Sequence, residues 1–311
     1  MKRTMIALMA AFFASMAAAT PTTVPFDPHR NLIAVELEVR GERLTFLVDT
    51  AVTPSVIDLA VARRLGIDVD LDAGQDAEGA GTQRTQVYAA RLPEARLGGL
   101  TFGPIDAAAF DMTQLSQRYG RPLHGILGDS FLAGRIVLID YPGRRLTLLE
   151  RPEQARTLRN ACANVFDQPL EFIPDSMTPR IWLDVAGTRI PTSLDTGATL
   201  TLELFEETTR TLNLGARLSE PEESRVTGAR GDARVQRMIL DAPVTLGPFA
   251  FATLPVTVSA RHGSPETRLA NAGGGLFQQM RLLIDYPNAR LSFFGDCAGD
   301  QVRRPLRVST D

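Results

Sequence analysis

Hydrophobic residues fall along this chain in short β-type runs, cut at close intervals by glycine, proline and aspartate, a pattern that predicts many short strands joined by turns. The runs also repeat. With Asp49 placed over Asp195, Val39-Arg40-Gly41-Glu42-Arg43-Leu44 aligns without a gap on Val185-Ala186-Gly187-Thr188-Arg189-Ile190, in each case a strand, a glycine turn and a second strand running into the aspartate. Helical spacing follows each aspartate, over Ser55 to Leu65 and over Glu203 to Leu214, with Gly66 and Gly215 as predicted C-caps. Polar, glycine-bearing stretches come next, Gly74 to Gln86 and Ser224 to Arg234, suited to hairpin tips. Leu97-Gly98 then matches Leu246-Gly247, and each half closes on the same phrase, Ile139-Asp140-Tyr141-Pro142 and Ile284-Asp285-Tyr286-Pro287. Two copies of this length are too few and too long for a solenoid. They predict two similar β-rich lobes, residues 20–150 and 166–311, joined by a polar, proline-containing linker over residues 151–165.

The centre of the repeat carries the candidate chemistry. Val48-Asp49-Thr50-Ala51 and Leu194-Asp195-Thr196-Gly197 present one carboxylate each from matching loops. A hydrolytic site built on two aspartates needs such a pair, because one carboxylate must accept a proton while the other donates one. A pseudo-twofold between the lobes would bring equivalent loops face to face.

Composition narrows the setting. A net charge of −3 over 311 residues offers no footprint for nucleic acid, so peptides or small ligands are the expected partners. Lys2 and Arg3, the apolar run Met5 to Phe13 and the small residues through Ala19 have the layout of a cleaved secretory signal over residues 1–19; no membrane insertion is expected after its removal. Lys2 is the only lysine, a usage that suits a GC-rich bacterial genome, and the expected location is therefore the periplasm or the medium. In an exported chain the pair Cys162 and Cys297 invites a disulfide clamping the join of the two halves; two separate buried thiols are the alternative. The histidines and cysteines lack metal-ligand spacing, and neither metal nor cofactor is expected.

These residues resemble the retropepsin/pepsin-like aspartic peptidase family, specifically two-lobed exported bacterial aspartyl proteases with duplicated retropepsin-like repeats. The resemblance rests on Asp195-Thr196-Gly197-Ala198, on Asp49-Thr50-Ala51-Val52 and on the apolar-apolar-glycine element Ile126-Leu127-Gly128, and it spans nearly all of the mature chain. It implies a mostly β fold of two similar β-barrel lobes in one chain, each with one or two short helices, in the pepsin-like bilobal arrangement. It implies Asp49 and Asp195 as the catalytic pair, sharing one proton around a water, in an aspartic endopeptidase that works as a monomer on peptides or proteins. Thr50 and Thr196 would bond across the pseudo-twofold, with Ala51, Gly197 and Ala198 completing the loops. Gly79, Ala80 and Gly81 in one lobe, and Gly228, Ala229, Arg230 and Gly231 in the other, would form flaps over the substrate. Two departures stand out. Ala51 replaces the family's glycine, and Asn271-Ala272-Gly273 is a decayed apolar-apolar-glycine element within a loose glycine run.

Two other functions are open to the same residues. A non-catalytic peptide-binding protein on the same lobes is the first, since fold does not settle function. Gly128-Asp129-Ser130-Phe131-Leu132 also spells the nucleophile block of Gly-Asp-Ser-Leu esterases, but His29, His124 and His262 have Phe26, Arg121 and Ser259, not aspartate, three places before them. Arg230-Gly231-Asp232 reads as a hairpin tip rather than an adhesion tripeptide, and Asp140 and Asp285 read as turn caps.

Overall fold

The computed structural model describes residues 20–76, 84–163, 165–261 and 263–297; the leader read over residues 1–19 lies outside them. The fold is mostly β with few short helices, in a bilobal arrangement. A nine-stranded sheet runs from Ala34 through the strand Gly125–Leu127, and a ten-stranded sheet from Glu171 through the strand Ala270–Gly273. Nine strands follow the same spatial order in both, so the duplication seen as letters is a duplication of topology. The expected barrels are not closed: among the described residues no pairing joins the two ends of either sheet. The end strands Gln75–Asp76 and Glu222–Gly228 lie in hairpins with largely exposed or half-exposed side chains, which have no opposite edge to meet.

Each repeat begins with a tight hairpin. Ala34–Val39 pairs with Glu42–Val48 around Arg40 and Gly41, and Pro179–Val185 pairs with Thr188–Asp195 around Ala186 and Gly187. Both central residues have positive φ in each turn, the geometry whose twist matches that of paired strands. The second strand of each hairpin then meets a late, parallel partner: Gly125–Leu127 lies against Phe46 to Val48, and Ala270–Gly273 against Thr192 to Asp195. That late strand is what seats the aspartate loop, since Asp49 N–H donates to Leu127 O at 3.0 Å.

The helical reading after each aspartate needs correction. Ser55–Asp58 and Leu202–Phe205 are strands, and only Leu59–Arg64 and Glu206–Thr211 are helices. Every residue of the two short strands is buried between sheet neighbours on both sides, so ladder bonds outweigh local helical spacing. Gly66 has φ +63 as a helix end, but Gly215 opens a 3-10 turn and the left-handed residue is Asn213. The segment read as a linker contains a helix, Pro152–Ala161, with proline in its first turn and the Gln154 side chain accepting from Arg151 N–H.

The closing Ile-Asp-Tyr-Pro phrases join the halves. Ile136–Asp140 and Arg281–Asp285 pair antiparallel at the centre of a six-stranded sheet, with Leu138 opposite Leu283. Asp140 accepts from Gly143 N–H at 2.8 Å and Asp285 from Asn288 N–H at 3.2 Å, so both cap their turns; Asp140 also pairs with Arg281. One apolar core runs from Val24 in the first half to Phe293 in the second. Cys162 and Cys297 form a disulfide beside the cluster Ile136, Ala155, Leu283 and Phe294, under the linker helix. A disulfide fits an oxidising, exported compartment. No helix among the described residues is long and apolar enough to cross a membrane.

The bridge closes a loop of 135 residues. Replacing both cysteines by alanine is expected to lower unfolding free energy by up to about 5 kcal/mol in the chain-entropy account. Denaturant melts measure this, and superimposable curves for the two proteins would contradict it.

Candidate active site

Asp49 and Asp195 leave the ends of equivalent strands and meet at the join of the two lobes. Thr50 Oγ1 donates to Leu194 O at 2.7 Å and Thr196 Oγ1 donates to Val48 O at 2.9 Å. Each hydroxyl oxygen also accepts the other threonine's backbone N–H, at 3.1 and 3.2 Å. All these groups are buried, so the four bonds form without competition from water and fix one loop against the other. Within each loop the aspartate accepts an N–H two residues on: Ala51 N–H to Asp49 Oδ1 at 2.7 Å, Gly197 N–H to Asp195 Oδ1 at 3.1 Å.

The two carboxylates lie within hydrogen-bonding contact of each other. Burial first, then the negative Asp195 beside it, push Asp49 up to about 8, against the opposing pull of N–H donors from Ala51 and Gly197. Behind them stand two phenols, Tyr141 buried and Tyr286 half-buried: burial raises both, and the nearby charges of Asp195 and Asp49 for Tyr141, and of Asp129 and Asp49 for Tyr286, raise them further. A second negative charge beside the first is therefore costly. This gives one group able to donate a proton beside one able to accept it.

The loops differ at two places. Asp49 sits on Gly197, where an added Cβ would lie 1.9 Å from Asp49 Oδ2; glycine is required there by space, not by backbone angle. Ala51, its counterpart, has no positive φ and keeps its N–H on Asp49, so its backbone makes no demand for glycine. Ala198, after Gly197, keeps the loop closed by accepting Gly274 N–H at 2.9 Å, just as Val52 O accepts Asp129 N–H at 3.0 Å.

The second difference corrects the reading of a decayed element. Ala272 pairs with Leu194 as Leu127 pairs with Val48, and Gly273 follows as Gly128 does. A Cβ on Gly128 would meet Val52 O at 2.3 Å, and one on Gly273 would meet Leu200 O at 2.2 Å. Nor is the glycine run loose, because a Cβ on Gly274 would stand 2.0 Å from Asn31 O. The backbone element is intact; only its side chains have changed. Asn271, in the place of Ile126, donates from Nδ2 to Asp195 Oδ2 at 2.9 Å. Sequence reading passed over Asn271 because its relation to Asp195 exists only through the parallel register of two strands far apart in the chain.

Of the predicted flaps, Gly79, Ala80 and Gly81 lie outside the described residues. Gly228, Ala229, Arg230 and Gly231 form the tip of the hairpin Glu222–Gly228 and Gly231–Leu240. That hairpin reaches the other lobe: Ala229 packs on the cluster containing Leu32, Met112 and Ile126, and Arg118 Nη2 donates to Arg225 O at 3.2 Å. Ser130 is bonded with Ser55 Oγ at 2.8 Å and Asp106 O at 2.7 Å. His29 Nε2 is bonded with Tyr119 O and His124 Nδ1 accepts from Thr45 N–H, so neither is turned to a serine nucleophile.

Residues 35–131 match the model of the aspartyl protease family. Among solved structures, the aspartic proteinase from Irpex lacteus is similar at 12% identity and a TM-score of 0.57, over 89% of this chain and 97% of that one. Basic 7S globulin from soybean aligns at 10% identity and a TM-score of 0.49, over 89% and 95% of the two chains. No curated protein matches the sequence.

Gly197→Ala is expected to abolish function of the site or to unfold it, by more than about 3 kcal/mol, because the new methyl must displace the Asp49 carboxylate. Ala51→Gly is expected to leave thermal stability within about 1 kcal/mol of wild type. Equal melting of the two variants would contradict the asymmetry. A second expectation concerns pH. Folded Asp49 keeps its proton to about pH 8, against an ordinary value of 3.8, so the folded state holds more protons between these limits. Stability therefore falls as pH rises through that window. The melting temperature of Asp49→Asn should overtake wild type between pH 4 and 8; parallel profiles would show that Asp49 titrates normally.

Proposed function

We propose that the chain is an aspartic endopeptidase of the retropepsin/pepsin-like family, whose water is activated between Asp49 and Asp195; the match of residues 35–131 to the aspartyl protease family and the pepsin-like fold support this reading. The observation that carries this reading is the contact of the buried Asp49 carboxylate with the half-buried Asp195 carboxylate, in which burial and the neighbouring charge push Asp49 up to about 8. Ionised Asp195 takes a proton from the water as its oxygen attacks the scissile carbonyl carbon, while protonated Asp49 gives its proton to the carbonyl oxygen. The tetrahedral diol then collapses: Asp195 gives the proton it took from water to the leaving nitrogen, a diol hydroxyl returns its proton to Asp49 as the C–N bond breaks, and amine and carboxylic acid leave the pair with a single proton. Thr50 and Thr196 keep the geometry without touching the reacting atoms.

The substrate is an extended peptide covered by the hairpin tip Gly228 to Gly231. A single chain supplies both aspartates, so the monomer is the working form, with the mature lobes at residues 20–150 and 166–311. A bacterial periplasm or the medium, reached by a leader over residues 1–19, would supply the oxidising setting of the disulfide.

Asp49→Asn and Asp195→Asn are each expected to lower kcat/KM for a peptide library by at least about 1000-fold with the fold unchanged, and wild-type cleavage is expected to fall away above about pH 8 as Asp49 loses its proton. Cleavage surviving either substitution would sink the two-aspartate mechanism. Saturable peptide binding without cleavage at any pH would instead make the protein a binding module on a peptidase fold.

A further inference from the structure

The two lobes agree in backbone and disagree in chemistry on one face. In the first lobe Leu47, Val56, Leu123 and Ile126 are buried together in an apolar cluster. The strand registers place Ser193, Glu203 and Asn271 at the positions of Leu47, Val56 and Ile126. His124 N–H donates to Thr45 O as Leu269 N–H donates to Pro191 O, which puts Arg268 at the position of Leu123. An apolar face has thus become a polar one wherever the second lobe approaches its aspartate.

These side chains form a directed chain. Arg268 Nη1 donates to Ser193 Oγ at 3.1 Å, the Ser193 hydroxyl donates to Asn271 Oδ1, and Asn271 Nδ2 donates to Asp195 Oδ2 at 2.9 Å. Because Ser193 engages the amide oxygen, the amide nitrogen is the atom left facing the carboxylate. The Ser193 hydroxyl also lies 3.3 Å from Ala270 O, a longer alternative to its short bond with the Asn271 amide oxygen; with the shorter bond made, the donors run toward Asp195 from a guanidinium, so each bond polarises the next in the sense that favours a negative charge at its end. Arg268 is itself held in place on the second lobe: it lies over the Phe205 ring with Arg261, and Arg261 Nη1 donates to Glu203 Oε2, whose other oxygen accepts from Ser259 Oγ. In the first lobe the equivalent positions offer only methyl and methylene groups.

We infer that the relay Arg268–Ser193–Asn271 fixes the protonation of the pair, holding Asp195 as the ionised base and leaving the shared proton on Asp49. Asn271 is a positioning residue: it touches neither substrate nor water and acts through Asp195. The inference deepens the peptidase reading and rests on it for its mechanistic meaning, but the ionisation it asserts exists with or without cleavage. The other groups facing the pair do not supply the same bias. Tyr141 stands behind both aspartates, Tyr286 faces Asp49 and Asp129, and Arg268 brings positive charge toward Asp195, with Arg261 and Glu203 behind it. Burial of Asp49 against Asp195 runs in the same direction as this assignment.

The test follows the 13C signals of the aspartate carboxyl groups through a pH titration, alongside the acid limb of the kcat/KM profile. Asn271→Leu removes the last donor at nearly constant size, and Arg268→Met removes the charge at the rim while sparing the core. Asp195 is expected to titrate higher by about one pH unit or more in Asn271→Leu and by roughly half as much in Arg268→Met, a charge-assisted hydrogen bond being of that size. The acid limb should move by the same amount, which loss of packing alone would not do. An Asp195 titration unchanged in Arg268→Met and in any folded Asn271→Leu overturns the inference, whether or not peptides are cleaved. A shifted Asp195 in a protein that cleaves nothing upholds the inference and overturns the peptidase reading.

Discussion

Two carboxylates in contact, one buried and one half-buried, repel each other, and the rest of this molecule can be understood as what keeps them there. The four threonine bonds between the loops contribute about 1 kcal/mol each in net terms. Ionising both aspartates would cost several kcal/mol, judged by how far Asp49 is displaced from its ordinary value. The grip by itself is therefore no match for a doubly charged pair with much to spare. Two things make up the difference. A proton kept on Asp49, as proposed, removes most of the repulsion below about pH 8. The six-stranded sheet and the core running from Val24 to Phe293 spread the remaining load over both halves, so that the loops cannot separate unless the halves do.

Duplication provides that frame cheaply in sequence and then frees each copy to differ. The Asp-bearing loop, the late parallel strand and the glycine after it serve the same backbone task twice. Within that frame one lobe holds an apolar cluster under its aspartate and the other a charged relay. A symmetric dyad has no reason to place its proton on either side. Here the asymmetry of side chains gives the two aspartates different surroundings, which on the proposed mechanism would assign acid and base roles before substrate arrives. Ala51 belongs to the same division: its lobe tolerates a methyl group, while Gly197 must clear the way for Asp49.

What was legible in the sequence was whatever repeats or acts locally. Asp49, Thr50, Asp195 and Thr196 announce themselves by recurring at one spacing, the turns at Gly41 and Gly187 by their residue types, and the central sheet by its twice-written Ile-Asp-Tyr-Pro. Ser55–Asp58 and Leu202–Phe205 were misread as helix because burial on both faces erases the alternation that marks a strand. The helix Pro152–Ala161 was hidden by a composition that suits a linker equally well. Barrel closure was an expectation of kinship, not of the residues. Asn271 was invisible for a deeper reason: its meaning lies in a neighbour 76 residues away, and mismatch with Ile126 looked like decay until the strand register placed its amide on Asp195. A loss of resemblance to the repeat was in fact the signal.

The most direct measurement is a count of protons. Potentiometric titration of wild type and Asp49→Asn between pH 5 and 9 has a low background here, since the chain has only three histidines and no unpaired cysteine among the described residues. Wild type is predicted to release one more proton than the variant, with its midpoint near pH 8. Superimposable curves would mean that both aspartates are already ionised at neutral pH, and that the two loops do not share a proton at all.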